Sequence, residues 1–120
     1  MYKVVLTNMA MQDIRLAALY LSGTLMNKDA ANRLLDTINK KIKTLSETPY
    51  INPLVNDSFL ASNGIRFQII NNYMAFYVVS EEKKTVSIIR FQHSRRDWIS
   101  ILKNDSEYKK PLRKQIRRGF

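Results

Sequence analysis

Two kinds of periodicity, one after the other, constrain what this chain can fold into. Apolar residues recur at three- and four-residue intervals from Met11 to Leu25 and again from Ala31 to Leu45, which predicts two amphipathic helices. Three runs rich in β-branched and aromatic residues follow at 65–71, 73–80 and 86–92, with turn-forming residues between them. Helices and strands of this kind have to bury their apolar sides against each other, so the pattern predicts an α+β fold.

The full order of predicted elements is β-α-α-β-β-β-α. A short strand at 2–7 precedes the helices, and a short helix at 96–102 follows the last strand. We therefore expect an N-terminal strand and a helical hairpin packed on an antiparallel β-sheet, with a short C-terminal helix. This predicted domain covers 1–103. A basic C-terminal extension covers 104–120, where Leu112 and Ile116 are spaced to line one side of a further helix after Pro111.

Local signals set the boundaries of these elements. Asn8 and Asn27 are candidate N-caps of the two helices. Gly23 lies near the end of the first helix, and Pro49 stops the second because proline disfavours helical geometry in the residue before it. The Asn-Gly pair at 63–64 predicts a turn before the central strands.

The two-residue repeat of a strand also assigns side chains to faces. For the last strand it predicts two sets, with Ile88, Arg90 and Gln92 on one face and Ile89, Phe91 and His93 on the other. Arg66 lies in the first central strand, and we expect it to reach the same surface as Arg90 across the sheet. His93 then shares a face with two large apolar residues, which is typical of a half-buried histidine at a core edge.

The net charge is +10, and it is concentrated in the second half of the chain. Residues 1–65 carry seven Lys/Arg against five Asp/Glu, whereas residues 66–120 carry thirteen against five, a net charge of +8. Such an imbalance attracts polyanions to one part of the surface. Nucleic acid, an acidic protein and a nucleoprotein particle are all candidate partners.

Composition excludes several kinds of chemistry. The chain has no cysteine and a single histidine, so disulfides, thiol nucleophiles and zinc–thiolate sites are ruled out and no metal site is predicted. The three glycines are scattered, and no glycine-rich phosphate loop exists. We expect no cofactor. No apolar run is long enough to cross a membrane, and we expect a cytoplasmic protein.

Phosphate chemistry without a metal, or binding alone, remains possible. A metal-free ribonuclease needs proton-transfer groups and cations that stabilise the charged phosphorane. His93 is the candidate acid or base, and Arg90, Arg95 and Arg96 are candidate phosphate clamps. Trp98 is either an anchor of the C-terminal helix on the sheet or a platform on which a base stacks.

Several sequence features resemble the RelE/ParE superfamily of type II toxin–antitoxin toxins from about residue 2 to residue 102. They are the helical hairpin closed by Thr48-Pro49, the segments Gly64-Ile65-Arg66 and Tyr73-Met74-Ala75-Phe76-Tyr77, and the segment Ile89-Arg90-Phe91-Gln92-His93-Ser94-Arg95-Arg96-Asp97-Trp98. The resemblance implies one fold with two activities, because RelE-type members cleave mRNA on the ribosome whereas ParE-type members poison DNA gyrase. The extension after Asn104 exceeds the usual family length.

Departures from the RelE pattern favour the ParE branch. Met74 stands where RelE-type toxins usually have an arginine, and the loop at 54–63 contains no lysine. The pair His93-Ser94 departs from the His-Tyr pair of the YoeB-type branch, whereas Arg90 and His93 match a pattern common in ParE-type sequences. We therefore expect a gyrase poison, with a ribosome-dependent mRNA endoribonuclease as the alternative.

The resemblance also implies partners and functional residues. A cognate acidic, partly disordered antitoxin would cover the helical hairpin and part of the sheet, giving a toxin–antitoxin hetero-oligomer. The target would be DNA gyrase, contacted by Arg90, Arg95, Arg96, Trp98 and the extension. In the alternative the target is ribosome-bound mRNA, with His93 as acid or base and Arg66, Arg90 and Arg95 around the scissile phosphate.

Overall fold

The computed structural model describes residues 1–105 and confirms the predicted α+β architecture. Its elements are, in chain order, β1 (Lys3–Leu6), α1 (Asn8–Leu19), α2 (Lys28–Glu47), α3 (Ser58–Ser62), β2 (Arg66–Ile70), β3 (Tyr73–Ser80), β4 (Thr85–His93) and α4 (Trp98–Asn104). Apart from its first two residues, the predicted extension at 104–120 lies outside the described residues. Within 1–105, no helix is both long and apolar enough to cross a membrane.

The four strands form one sheet in the order β1-β4-β3-β2. Strands β2, β3 and β4 form the predicted antiparallel meander. β1 pairs in parallel with the first half of β4, from Thr85 to Ile88, and not with the second half. Among residues 1–105, no strand therefore lies beside the outer edge of β4 beyond Ile88, and the backbone groups there need other partners.

A β-bulge in β4 overturns the predicted division of its faces. Tyr77 pairs with Ile88 while Phe76 pairs with Arg90, so Ile89 is an extra residue with no partner on β3. An extra residue shifts the two-residue alternation by one position. Ile88 and Phe91 consequently share one core, whereas Ile89 packs into the core on the opposite face.

Local signals located most helix ends. Asn27 is the N-cap of α2, where its side chain accepts a hydrogen bond from Ala30 N–H at 2.9 Å, and α2 ends at Glu47, before Pro49. The predicted cap of α1 was wrong by one residue, because Thr7 and not Asn8 accepts the bond from Ala10 N–H. The Thr7 hydroxyl also donates to the Ile89 carbonyl at 3.0 Å, so the cap joins the helix to β4.

Two segments differ from the prediction. The chain near Gly23 forms a π-helical turn, Tyr20–Thr24, which continues directly from α1. The segment expected to be an irregular connection contains α3, which Asp57 caps by accepting a hydrogen bond from Leu60 N–H at 3.0 Å. α3 has only five residues, which is too short to show a helical periodicity in sequence.

The sheet separates two hydrophobic cores. The hairpin formed by α1 and α2 covers one face, and α3 and α4 cover the other. Trp98, the first residue of α4, packs against Phe76 with ring centroids 5.2 Å apart. This confirms that Trp98 anchors the C-terminal helix to the sheet. The first core contains Leu34, Ile38, Leu45, Tyr77, Ile88 and Phe91; the second contains Val55, Leu60, Ile65, Phe76, Ile89 and Leu102.

A candidate binding site at the end of the fourth strand

The end of β4 is followed by a tight turn that leads into α4. Arg96 N–H donates to the His93 carbonyl at 3.0 Å, and Trp98 N–H donates to the Arg96 carbonyl at 2.8 Å. Asp97 caps α4 by accepting from Ser100 N–H at 3.3 Å. These contacts fix the backbone between the strand and the helix, so the exposed side chains of this turn project from a defined position.

His93 is held at this turn by its ring and by its δ nitrogen. The ring lies edge-on to Tyr73 with centroids 5.3 Å apart, and Nδ1 accepts a hydrogen bond from Arg95 N–H at 3.1 Å. An Nδ1 that accepts cannot carry a proton, so the proton of the neutral ring is on Nε2. His93 therefore offers its Nε2–H as a donor to a ligand.

Arg90 is bound within the protein. Its guanidinium donates to both carboxylate oxygens of Asp13, from Nε at 2.7 Å and from Nη2 at 3.0 Å, and its Nη1 lies 3.4 Å from Asp105. Burial disfavours the charge of Arg90, but the two carboxylates outweigh this effect and raise the pKa of its guanidinium. The side chain is 11% exposed. Arg90 could contact a target phosphate only if these ion pairs were broken.

Arg66 does not reach the surface near Arg90, contrary to expectation. Arg66 pairs with Tyr77 and Arg90 with Phe76, and these neighbouring residues of β3 point to opposite faces of the sheet. The Arg66 guanidinium donates to the Asn52 carbonyl at 2.6 Å and stacks over the ring of Tyr50 at 5.0 Å. It therefore stabilises the loop after α2.

Arg95 and Arg96 remain as exposed cations of the turn. Across residues 1–105, neither of their side chains forms an ion pair. An exposed guanidinium with no carboxylate partner can accept a phosphate or carboxylate ligand in two-point geometry. Of the predicted site residues, the structure thus brings His93, Arg95 and Arg96 together, whereas Arg90 and Arg66 are engaged elsewhere and Trp98 is half-buried in the second core.

Two clefts meet at His93, and they contain residues that sequence reasoning missed. One, of about 390 Å³, lies between α1 and the turn; the other, of about 320 Å³, lies between the π-helical turn, α2 and the β2–β3 turn. His93, Tyr73 and Tyr20 line both of them. Arg96 adds a cation to the first cleft, and Arg33, from the polar side of α2, adds one to the second. No local pattern in the sequence links Tyr20 or Arg33 to His93.

Apolar surface is exposed along the other side of the hairpin. Two adjoining grooves between α1 and α2, of about 440 and 370 Å³, share Arg15 and Leu35. Met11 and Leu35 are 48% and 37% exposed there, although an amphipathic helix normally buries such residues. Within 1–105, no group of three His, Asp or Glu side chains is placed to hold a metal ion.

Comparisons with known proteins agree with this architecture. Residues 4–98 match the family model described as the ParE toxin of the type II toxin–antitoxin system parDE. No curated protein gives a significant match. Among solved structures, the chain is similar to a chromosomal ParDE toxin–antitoxin system from P. aeruginosa, with 17% identity, a TM-score of 0.62, and coverage of 78% of this chain and 96% of that one.

Two further solved structures share the fold. The intact E. coli RelBE toxin–antitoxin complex matches at 20% identity with a TM-score of 0.52, over 80% of this chain and 100% of that one. A YoeB/ParE toxin from Agrobacterium tumefaciens matches at 17% identity with a TM-score of 0.55, over 76% of this chain and 96% of that one.

Proposed function

Because the chain belongs to the ParE toxin family of type II toxin–antitoxin systems, we propose that it poisons DNA gyrase and that a cognate antitoxin neutralises it. The observation that carries the choice of gyrase over mRNA cleavage is the state of Arg90. A ribonuclease needs a cation free to stabilise the phosphorane, but Arg90 is held by Asp13 and Asp105 in a largely buried position.

Two other observations support the same choice. Met74 packs into the second core beside Phe76 and offers no charge to a phosphate. His93 is bound through Nδ1, so its ε nitrogen already carries the proton and is not available as a general base in this arrangement. A binding surface needs neither a mobile proton nor a free strand arginine.

In this proposal, the exposed cations of the turn after β4 contact the gyrase–DNA complex. Arg95 and Arg96 are exposed and have no ion pair within residues 1–105. Trp98 and Arg90 act as positioning residues, because Trp98 fixes the start of α4 and Arg90 joins α1 to β4. The basic extension adds positive charge to the same half of the sequence.

Ribosome-dependent mRNA cleavage is the second candidate, and the clefts around His93 favour it. His93 lies in one cleft with Arg96, so an acid and a phosphate clamp are close together. In that mechanism His93 would transfer a proton and Arg95 and Arg96 would hold the scissile phosphate. Arg90 would take part only after releasing Asp13. Arg66 would take no part, because it lies on the face of the sheet opposite to Arg90 and binds the Asn52 carbonyl.

The antitoxin is proposed to occupy the apolar grooves between α1 and α2. The exposed Met11 and Leu35 would be buried by an amphipathic partner, while Arg15 and Lys28 at the rim would pair with its carboxylates. The net charge of +10 favours an acidic chain. A partly disordered antitoxin that folds on binding can cover such an extended surface.

A supercoiling and cleavage-complex assay with purified toxin and gyrase tests the proposal. We expect gyrase-dependent DNA breaks that the antitoxin suppresses. Replacing both arginines of the turn, Arg95→Gln with Arg96→Gln, should abolish the breaks. Lys40→Gln with Lys43→Gln, on the exposed side of α2, is the matched loss of two charges and should not. His93→Ala should retain gyrase poisoning, but it would slow a ribonuclease by about 10²- to 10⁴-fold.

Gyrase left unaffected by a folded toxin that still binds its antitoxin would refute the proposal. Cleavage of ribosome-bound mRNA that is lost in His93→Ala would then establish the second candidate.

A further inference from the structure

We propose that the two clefts meeting at His93 form one binding site for single-stranded nucleic acid, with an unstacked base on Tyr20 and backbone phosphates on Arg33 and Arg96. This inference concerns a ligand of the toxin itself and does not depend on which macromolecule the toxin attacks. It rests on a set of side chains that come from α1, α2, the β2–β3 turn and the turn after β4.

The aromatic part of the site consists of one exposed ring, that of Tyr20, and one ring fixed by packing, that of Tyr73. Tyr20 is 51% exposed at the first position of the π-helical turn, and π-helical turns are frequent at functional sites. It lines both clefts together with Tyr73, which is itself fixed by stacking on Phe91 at 4.8 Å. A fixed aromatic wall with an exposed second ring is the arrangement on which nucleic-acid bases stack.

The cationic part is available for phosphates. Arg33 lines one cleft and Arg96 the other, and within residues 1–105 neither forms an ion pair. Asp13 is the only carboxylate lining either cleft within this part of the chain, and Arg90 neutralises it. As far as the described part of the chain goes, anionic ligands therefore meet two guanidinium groups without ion pairs and no uncompensated negative charge.

Polar donors complete the site. Asn71 and Asn72 line the second cleft, and the Asn72 carbonyl accepts from Ser94 N–H at 2.8 Å, which fixes the β2–β3 turn beside the end of β4. Asn71 adopts a left-handed conformation with φ of 55°. Amide groups and the Nε2–H of His93 are suited to hydrogen-bonding the edge of a base.

A single strand fits these clefts better than a duplex. Their volumes, about 390 and 320 Å³, correspond to small-ligand pockets. A base reaches an aromatic ring inside such a cleft only after it leaves its own stack, which costs least in a strand that is already unpaired. Sequence tolerance is expected, since stacking on tyrosine depends little on base identity.

Fluorescence anisotropy of a labelled oligothymidine of twelve nucleotides, titrated with the full-length toxin at several salt concentrations, tests the site. Tyr20→Ala should weaken binding by about 10-fold without changing the salt dependence, because it removes stacking and no charge. Leu19→Ala is the matched control, since Leu19 is 57% exposed beside Tyr20 but lines the groove on the other side of the hairpin; it should bind as the wild type does.

The cationic contribution is measured separately. Arg33→Gln should reduce the slope of the logarithm of the binding constant against the logarithm of salt concentration by about 0.7, the value for one phosphate contact on a single strand. Lys40→Gln, an exposed cation of α2 outside both clefts, should leave the slope unchanged.

Three outcomes would overturn the inference: wild-type affinity in Tyr20→Ala, equal losses in Tyr20→Ala and Leu19→Ala, or full competition by a duplex of the same length. Circular dichroism of each variant establishes that the fold is retained. Gyrase poisoning could persist under any of these outcomes, so the two proposals fail independently.

Discussion

Arg90 of β4 and Asp13 of α1, 77 positions apart in sequence, form a two-point ion pair at the edge of the sheet. The same Asp13 carboxylate accepts the Phe91 N–H at 3.0 Å. β1 ends opposite Ile88, so this backbone group would otherwise be an unpaired edge donor. The Asp13 carboxylate thus supplies the acceptor that a neighbouring strand would otherwise provide for Phe91 N–H. The same carboxylate neutralises the guanidinium of Arg90.

Breaking this pair should strongly destabilise the protein. Asp13→Ala leaves Arg90 buried beside Asp105 alone and leaves the Phe91 N–H without its acceptor, so we expect the free energy of unfolding to fall by about 3–5 kcal/mol. Urea denaturation of Asp13→Leu, of Arg90→Met and of the double variant that combines them measures the coupling. The double variant should recover much of the loss; a double variant as unstable as the sum of the single ones would contradict the assignment.

Acid should weaken the contacts of Glu81. Its carboxylate accepts hydrogen bonds from Lys84 Nζ at 2.8 Å, from Tyr2 at 2.6 Å and from Tyr50, and these contacts lower the pKa of Glu81 to about 2. A carboxylate whose folded-state pKa is lowered stabilises the fold above its unfolded pKa, about 4, and this contribution is lost as the pH falls toward 2.

Melting temperatures between pH 7 and pH 2 test the role of Glu81. The wild type should exceed Glu81→Gln at neutral pH and converge with it in acid, whereas Glu82→Gln, an exposed neighbouring carboxylate, should follow the wild type. If the melting temperatures of the wild type and of Glu81→Gln instead changed with pH in parallel, a pH-dependent contribution of Glu81 to stability would be excluded. Glu81→Gln should also lower the pKa of Tyr50 from about 12, because the hydrogen bond to Glu81 raises it most; absorbance of the tyrosinates reports this.

Binding of the antitoxin should separate into an electrostatic and an apolar part. The net charge of +10 steers an acidic chain, so the association rate should fall as salt rises. Leu35→Ser in the hairpin groove should instead speed dissociation, because less apolar area is buried, and should leave the salt dependence of association unchanged. Surface plasmon resonance at low and high salt measures both rates. A flat association rate would exclude steering, and unchanged dissociation would exclude the groove.

Removal of one buried hydroxyl should loosen the loop after α2. Tyr77 is fully buried, its hydroxyl donates to the Pro49 carbonyl at 2.6 Å, and it accepts from the Asn52 amide at 3.2 Å. Tyr77→Phe leaves both groups without this partner, so stability should fall by about 1–3 kcal/mol. Denaturant unfolding measures the change. Tyr73→Phe is the control, since within residues 1–105 the Tyr73 hydroxyl forms no hydrogen bond to the loop after α2. Equal losses of stability in the two variants would contradict this account.

Much of the fold follows from short-range properties of the sequence. The stripe of α2, its Asn27 cap and the stop before Pro49 depend on residues within one or two helical turns of each other. The turn at Gly64, which has a φ of +78°, likewise follows from the freedom of glycine in left-handed backbone. The ordering of such elements also predicted the antiparallel meander, because close neighbours in sequence can pair with short turns.

The candidate site was only partly predictable, because only some of its residues are close to each other in sequence. His93, Arg95 and Arg96 are neighbours in sequence, and the structure keeps them together. Tyr20 and Arg33 joined them only through the packing of the hairpin on the sheet. Arg66 was predicted to lie near Arg90, but the pairing register puts the two on opposite faces.

The sequence by itself determined which segments become the strands and the other three helices, where most of these elements end, and that the second half carries the positive charge. It did not reveal α3 or the π-helical turn. The tertiary structure decided which arginines lack an ion pair within residues 1–105. The extra residue at Ile89 changes which side chains of β4 lie on each face of the sheet. Arg90 then pairs with Asp13, which is 77 positions away in sequence. Periodicity and capping depend on neighbouring residues, whereas a bulge and a buried ion pair depend on strand register and on which distant side chain lies opposite, and no local pattern encodes either.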